Sequence, residues 1–565
     1  MGKGMKYLIL GLLLFCGIFY GREAEAASVK IDKTNFPDAF LREEMKQRDF
    51  NSDGKLSDKE IKLIKTLKLR AEKNGKYWKL NLKGLSRLTS LKDLHMAALV
   101  LENRMELDQL KTLQKLYLYQ SQDIGMFDLS RLENVTDISL VSESVGEIIL
   151  RNNKKLKKLY LSFGSTQNMK ELNLLEIPSI EEVELRVDSI GKIKLQGHSG
   201  VKKLNLMVAQ REIRIEKMPK LVDLTFREEE VVKKLILQDC PSLETLQVDS
   251  CSSLQDIQFA RVDKLKIVKI LRSQNAIDNN TKKLDFSGLP GLRVAEIHSK
   301  KLEKLILPKS NQFVSLYIAP CRLKELDLSR VPKLNWLSLG WCNIKKLDLT
   351  KVPKLEILHL SYLEKVKKLD FSKLKKLEKL EISGLNQLKK LNLPKPKRLK
   401  ELSIYGCKSL KKINFNKMTN LKSLDVYKNR KIKKLDIRKL KKLEYFVWQN
   451  GVLKKILWGK KKRLGLIDVS YNKLSGKLDL RKFSDLTKVW CDHNKLTSLY
   501  GGESLYNVHC YNNKLKKIDM RKAKDIWGLW CYNNSKKAKI YLYTKIGGDG
   551  GISKDSSAKI KYVKK

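Results

Sequence analysis

The sharpest chemistry in this sequence sits in one short run, where Asp49, Asn51, Asp53, Lys55, Ser57 and Glu60 alternate with other residues. Oxygen ligands at loop positions 1, 3, 5, 7, 9 and 12, with a glycine at 6, are what calcium requires, because a hard cation takes six or more oxygens. Asp49, Asn51 and Asp53 offer side-chain oxygens, and Lys55 offers its backbone carbonyl. Ser57 would act directly or through water, and Glu60 would close the site with both carboxylate oxygens. Gly54 permits the sharp turn, and Leu56 is expected to point into a small core beside it. The competing reading is a metal-free helix–loop–helix that keeps the turn for its shape.

Two helices must hold such a loop. Pro37 suits a helix start, and Phe40, Leu41 and Met45 recur at helical spacing before it; Ile61 and Ile64 follow in a second short helix. Residues 27–66 are therefore expected to form a helical cap with an EF-hand-type loop. A lone loop favours one structural calcium ion over a sensor. The segment from Ile31 to Phe40 is similar to the helical caps that precede the repeats of many gut-bacterial proteins.

Beyond the cap the pattern L-x-x-L-x-L returns about every 21 or 22 residues, as at Leu91, Leu113, Leu243, Leu334, Leu355, Leu377, Leu399 and Leu421. A second motif, K-x-L-D-L, follows in many copies, as in Leu347-Asp348-Leu349 and Leu369-Asp370-Phe371. Apolar residues at alternate positions are strand spacing. The fold class expected is a β-rich repeat solenoid: a right-handed leucine-rich-repeat coil with stacked parallel strands, two short strands per coil, and the small helical cap. Residues 67–534 would hold about 21 coils and form a rod roughly 100 Å long at the usual strand spacing. Residues 535–565 are expected as a terminal strand or hairpin cap. One coil cannot bury its own leucines, so neighbouring coils stabilise each other in series.

The copies Leu486-Thr-Lys-Val-Trp-Cys491-Asp-His-Asn494 and Leu505-Tyr-Asn-Val-His-Cys510-Tyr-Asn-Asn513 resemble the short Cys/Asn leucine-rich repeats of bacterial secreted and surface proteins of the internalin J type. The resemblance implies this fold, an exported bacterial protein, and a role in adhesion or surface display. The chain departs from surface-anchored members in that Ile560 to Lys565 shows no wall-sorting motif with an apolar tail.

The cysteines follow the repeat. Cys491, Cys510 and Cys531 share an inward position, while Cys251, Cys321, Cys342 and Cys407 fall at the turn position that Asn494 and Asn513 hold elsewhere. They are expected as free, buried thiols, with a disulfide between neighbouring coils possible in principle. The stretch from Ser273 to Lys283 lengthens one coil and reads either as a binding loop or as a tolerated bulge.

The formal net charge is +53. Lysine pairs recur at the second strand: Lys345 and Lys346, Lys367 and Lys368, Lys389 and Lys390, Lys411 and Lys412. Stacking turns them into columns that repel, with the acid of L-D-L expected to relieve part of it. The columns read either as an anion-binding face or as solvated strands kept soluble. Trp490, His509 and Trp530 take one outward position in successive coils, and Tyr405, Tyr427, Tyr511 and Tyr532 another. Beside lysines, such rings suit sugars or a protein partner; otherwise they pack on neighbouring coils.

Lys3 and Lys6, the apolar run from Tyr7 to Tyr20, and Ala24-Glu25-Ala26 read as a secretory signal peptide over residues 1–26, with no membrane span after its cleavage. No catalytic motif appears, and the six histidines lack ligand spacing. The function expected is a secreted, non-catalytic binding or adhesion protein, retained at the cell surface by charge if at all. Its partner would be a protein or glycan on a host or cell wall, or an anionic polymer. The alternative is a structural envelope protein held to wall polymers by charge. Nucleic acid has the charge in its favour but no recognition motif.

Overall fold

The computed structural model describes residues 28–70, 72–73, 76–97, 99–121, 125–165, 169–187, 190, 192–227, 231–272, 279–391, 393, 398–543 and 551–563. The expected signal peptide, residues 1–26, and residues 273–278 of the long coil lie outside the described residues. The chain forms two compact units, one reaching Glu229 and including Asp239–Pro241, the other comprising Glu230–Gln238 and Ser242 onward.

The first unit begins with the cap. Val29–Lys30 pairs antiparallel with Lys55–Leu56, placing Val29 opposite Leu56. Asp38 caps the helix Ala39–Lys46 by accepting the Leu41 N–H. Ser57 and Glu60 form a capping box on the helix Asp58–Leu63, each side chain accepting from the other's backbone. Phe36, Leu41, Met45 and Leu56 are fully buried between these elements. The solenoid then runs as a parallel sheet from Thr66–Arg70 through Asp93–Ala97, Lys115–Ser121, Asp137–Ser144, Lys158–Ser165, Glu182–Val187 and Lys203–Val208 to Asp223–Arg227. Register places Lys115, Asp137, Lys158, Glu182, Lys203 and Asp223 side by side with alternating sign. Lys158 and Glu182 close to 3.2 Å. This alternation rewards the native register, since a slip would bring like charges together.

The second unit repeats the plan from Thr245–Asp249 to Ile552–Ser553. The rung leucines point inward, as at Leu334, Leu337, Leu339 and Leu349, which are fully buried, and Leu347, which is nearly so. Each such burial contributes roughly 1.5–3 kcal/mol. Each unit is a leucine-rich-repeat solenoid. The second stretch of the coil is regular in places, with Lys390–Leu391 on Lys412–Ile413 and Lys434–Asp436 on Lys455–Leu457, but Lys345, Lys346, Lys367 and Lys368 lie outside any regular strand. Past residue 535, Lys539–Leu542 and Lys559–Tyr562 continue a parallel ladder, one more rung each, where a strand or hairpin was expected.

Two features close many of the coils. After the main strand the chain turns through a left-handed residue, among them Trp341, Tyr362, Lys428, Tyr471, His493, Asn512 and Asn533, with φ between 49° and 53°. The asparagine that follows is the tie. Asn494 donates to the carbonyls of Val469, Cys491 and Asp492 and accepts the Leu474 N–H at 2.9 Å. Asn472, Asn513 and Asn534 do the same one coil apart. Where cysteine stands instead, a buried thiol takes the place of the amide and donates to the carbonyl two residues back, as Cys251 does to Asp249 and Cys407 to Tyr405. Cys251 and Cys407 are buried thiols, but Cys321 and Cys342 are joined, their Cα atoms 4.8 Å apart. This corrects the expectation of free thiols at those two positions: adjacent coils bring equivalent residues to bonding distance. Cys491, Cys510 and Cys531 stack as free buried thiols, and burial pushes the Cys510 thiol well above its ordinary pKa.

Candidate functional site

The rings predicted to align do so. Trp490 lies opposite His509, and His509 opposite Trp530, on three adjacent parallel strands. The ring centres of His509 and Trp530 are 4.3 Å apart and stacked; those of Trp490 and His509 are 5.8 Å apart and tilted. Burial lowers the His509 pKa, against the opposite pull of Asp492 and Asp468, so the strip is aromatic and uncharged near neutrality. Beside it Tyr511 stacks on Tyr532 at 4.7 Å. Burial, followed by Asp492, pushes the Tyr511 hydroxyl up to about 12. Tyr405 and Tyr427 are paired in register further along.

The neighbours of these rings are acids. Asp468 aligns with Trp490 across the strands. It is 9% exposed, and burial raises its carboxyl pKa although Ser470 and Gln449 donate to it. Asp492 is 3% exposed and sits 2.9 Å from His493 Nδ1. Asp425 accepts the Tyr405 hydroxyl at 2.6 Å.

The lysines are elsewhere on the coil. Lys345, Lys346, Lys367, Lys368, Lys389, Lys390, Lys411 and Lys412 are all exposed, on the second stretch and not the main sheet. The structure therefore does not bring the lysine columns and the aromatic strip together. Lys390 does lie opposite Lys412, as stacking requires. Lys345, Lys346, Lys365, Lys367 and Lys368 line an open groove of about 1070 Å³ with Leu347, Leu369 and Phe371 in its wall. No carboxylate lies within ion-pair distance of these lysines among the described residues. The acid of L-D-L does something else. Asp348 accepts the N–H and hydroxyl of Thr350, and Asp370 the N–H of Ser372, so it turns the chain out of the stretch. By contrast, lysines flanking the main strands are neutralised across coils, as in Lys400–Glu378 at 2.7 Å and Lys379–Glu401 at 3.1 Å. Sequence reading missed these pairs because they join residues a whole coil apart.

In the calcium loop Asp49 Oδ2 accepts the Gly54 N–H at 2.8 Å, and Asp53 Oδ1 the Lys55 N–H at 2.8 Å. Asn51 donates to Asp53 at 3.1 Å. Glu60 accepts from Phe50 and Ser57, each at 2.8 Å. Burial pushes the Glu60 carboxyl up, but the bonds from Ser57, Phe50 and Asn51 outweigh it and hold it below its ordinary value. Gly54, at φ 78°, makes the expected turn. Among the described residues no group of three or more His, Cys, Asp or Glu is gathered to hold a metal ion. The donor set is all oxygen, which suits a hard cation.

No protein-family model matches the sequence, and no curated protein matches it. Solved leucine-rich-repeat structures are similar. The functional domain of InlJ from Listeria monocytogenes, which includes a cysteine ladder, matches 92% of this chain and 78% of its own at 14% identity and a TM-score of 0.31. YopM from Yersinia enterocolitica matches 98% of this chain and 100% of its own at 16% identity and a TM-score of 0.46. The Leptospira interrogans leucine-rich-repeat protein LIC12759 covers 65% of this chain and 97% of its own, at 16% identity and a TM-score of 0.39. These likenesses say nothing of ligands for this chain; its solenoid is established by its own rungs. No helix among the described residues is long and apolar enough to cross a membrane.

Proposed function

We propose that this is a secreted, non-catalytic binding protein whose main sheet contacts a protein or glycan partner through the strip of Trp490, His509 and Trp530. The observation that carries this reading is the alignment of those rings on three adjacent strands, half-exposed and outward, where a core role would have turned them in. His509 and Cys510 face opposite sides of the strand, so they do not form a nucleophile and base. Export rests on the signal-peptide pattern of residues 1–26. The cap loop fits one structural calcium ion, which Asp49, Asn51, Asp53, Lys55, Ser57 and Glu60 would hold and which would stiffen the end of the first coil.

A second reading has its own support. Among the described residues the eight exposed lysines have no carboxylate partner, while lysines by the main strands do. An anionic wall polymer on that side would retain the protein at a surface by charge. The test is a glycan and protein array at physiological salt with the parent and the double variant Trp490→Ala/Trp530→Ala. Loss of a specific signal in the variant supports the first reading. A signal that survives the variant but disappears in Lys345→Gln/Lys367→Gln transfers the function to the lysine columns.

A further inference from the structure

Between Ser403 and Trp530 the main sheet of the second unit carries little of the chain's positive charge; Lys488, two residues before Trp490, is an exposed lysine on its outward side. Roughly one residue in five is Lys or Arg. Yet the central outward column from Ser403 to Trp530 reads Ser, Asp, Val, Asp, Trp, His, Trp, without a cation. The next outward column, from Tyr405 to Tyr532, also has no lysine or arginine in it and adds Asp492, although the neighbouring Lys428 places its Nζ 5.0 Å from the centre of the Tyr427 ring. The carboxylates of Asp425, Asp468 and Asp492 are met by hydroxyl, amide and imidazole groups, and no Lys or Arg pairs with them among the described residues. In so basic a chain a solvated face would carry lysine, as the second stretch of each coil does.

We infer that this face receives a basic segment of a partner protein, its lysine or arginine side chains lying over the aromatic rungs beside the half-exposed Asp425, with the buried carboxylates of Asp468 and Asp492 adding their negative charge from beneath. The inference rests on the binding role proposed above and narrows the partner. Charge complementarity selects the occupant. A cation lying on Trp490 or Trp530 gains from the ring face and from the nearby carboxylates together. An anionic polymer would be repelled here and drawn to the lysine columns. A neutral glycan would use the rings but not the acids.

The test uses the full chain and three labelled peptides of equal length: oligo-arginine, oligo-glutamate and a neutral Gly/Ser peptide. Non-specific attraction predicts that a chain of net charge +53 repels oligo-arginine. The inference expects saturable oligo-arginine binding, weakened about tenfold or more by Asp425→Asn/Asp492→Asn and by Trp530→Ala, and unchanged in Lys345→Gln/Lys367→Gln. Asp425→Asn alone serves if the Asp492 variant does not fold, because Asp425 is only half-buried. Absence of oligo-arginine binding at low salt, or equal binding by the aspartate variants, overturns the inference. A neutral ligand on the array that still depends on Trp490 and Trp530 would then leave the broader binding role standing; its absence would remove both.

Discussion

Asp38 reaches from the cap to the solenoid: its Oδ2 accepts the backbone N–H of Asn81 at 3.1 Å while its Oδ1 caps the first helix at Leu41. Gly84 completes the joint. Its φ is 97°, and a Cβ there would stand 2.2 Å from the Asn35 carbonyl oxygen. Asp38→Ala should cost about 1–2 kcal/mol, as loss of a helix cap does. Gly84→Ala should cost more and release the cap. Hydrogen exchange across residues 39–63 reports both; protection unchanged in the two variants would mean that the joint does not hold the cap.

Asn494→Ala removes three donated bonds and leaves the buried Leu474 N–H without its acceptor. A loss on the order of 3 kcal/mol is expected, confined to the flanking coils because each coil leans on its neighbours. Limited proteolysis should open a new site between residues 466 and 500. Uniform weakening across the chain would contradict a serial architecture.

Lys461 occupies an inward position, 2% exposed, with its ammonium on the carbonyls of Ile437 and Trp458. Burial, followed by Lys482, lowers its pKa to about 8 from the ordinary 10.5. Between those values the unfolded chain keeps a proton that the folded chain has lost, so stability rises with pH across that window. Below about 8 the penalty of the buried charge is fully present. Lys461→Met should flatten the rise and add on the order of 1–3 kcal/mol at pH 7. Urea midpoints at pH 7 and 9.5 decide it; parallel slopes in parent and variant would count against a buried ammonium.

The solenoid was legible because leucine spacing is a direct consequence of the rung: Leu334, Leu337 and Leu339 cannot point inward in any other periodicity. The alignment of Trp490, His509 and Trp530 followed from the same register. What stayed hidden depends on neighbours a coil away. Lys400 looks like one more exposed lysine until Glu378 appears beside it. Asp348 looks like relief for Lys345 and Lys346, but its Oδ1 accepts both the N–H and the hydroxyl of Thr350, and neither lysine reaches it. The sequence allows a disulfide between neighbouring coils but does not single out Cys321 and Cys342, since Cys407 at the same position remains a thiol. The separation of rings from lysines comes from strand parity and from which stretch of the coil carries each.

Calcium should raise the melting temperature of the parent by several degrees if the cap loop binds it with useful affinity. Glu60→Gln should abolish that rise while keeping the capping bond to Ser57, because glutamine also serves in a capping box. Scanning calorimetry with calcium and with a chelator checks both. Superimposable parent traces would take the ion out of the cap.

The asparagine ties described above all reach backward: Asn472, Asn494, Asn513 and Asn534 each bind carbonyls of their own coil and of the one before. These four joins are thus alike, unlike those where cysteine stands. Duplicating or excising one whole repeat among them leaves the same tie at each remaining junction, so a gene of this design can lengthen or shorten there by unequal recombination. Reach becomes a quantity that evolution can adjust separately from what the surface recognises.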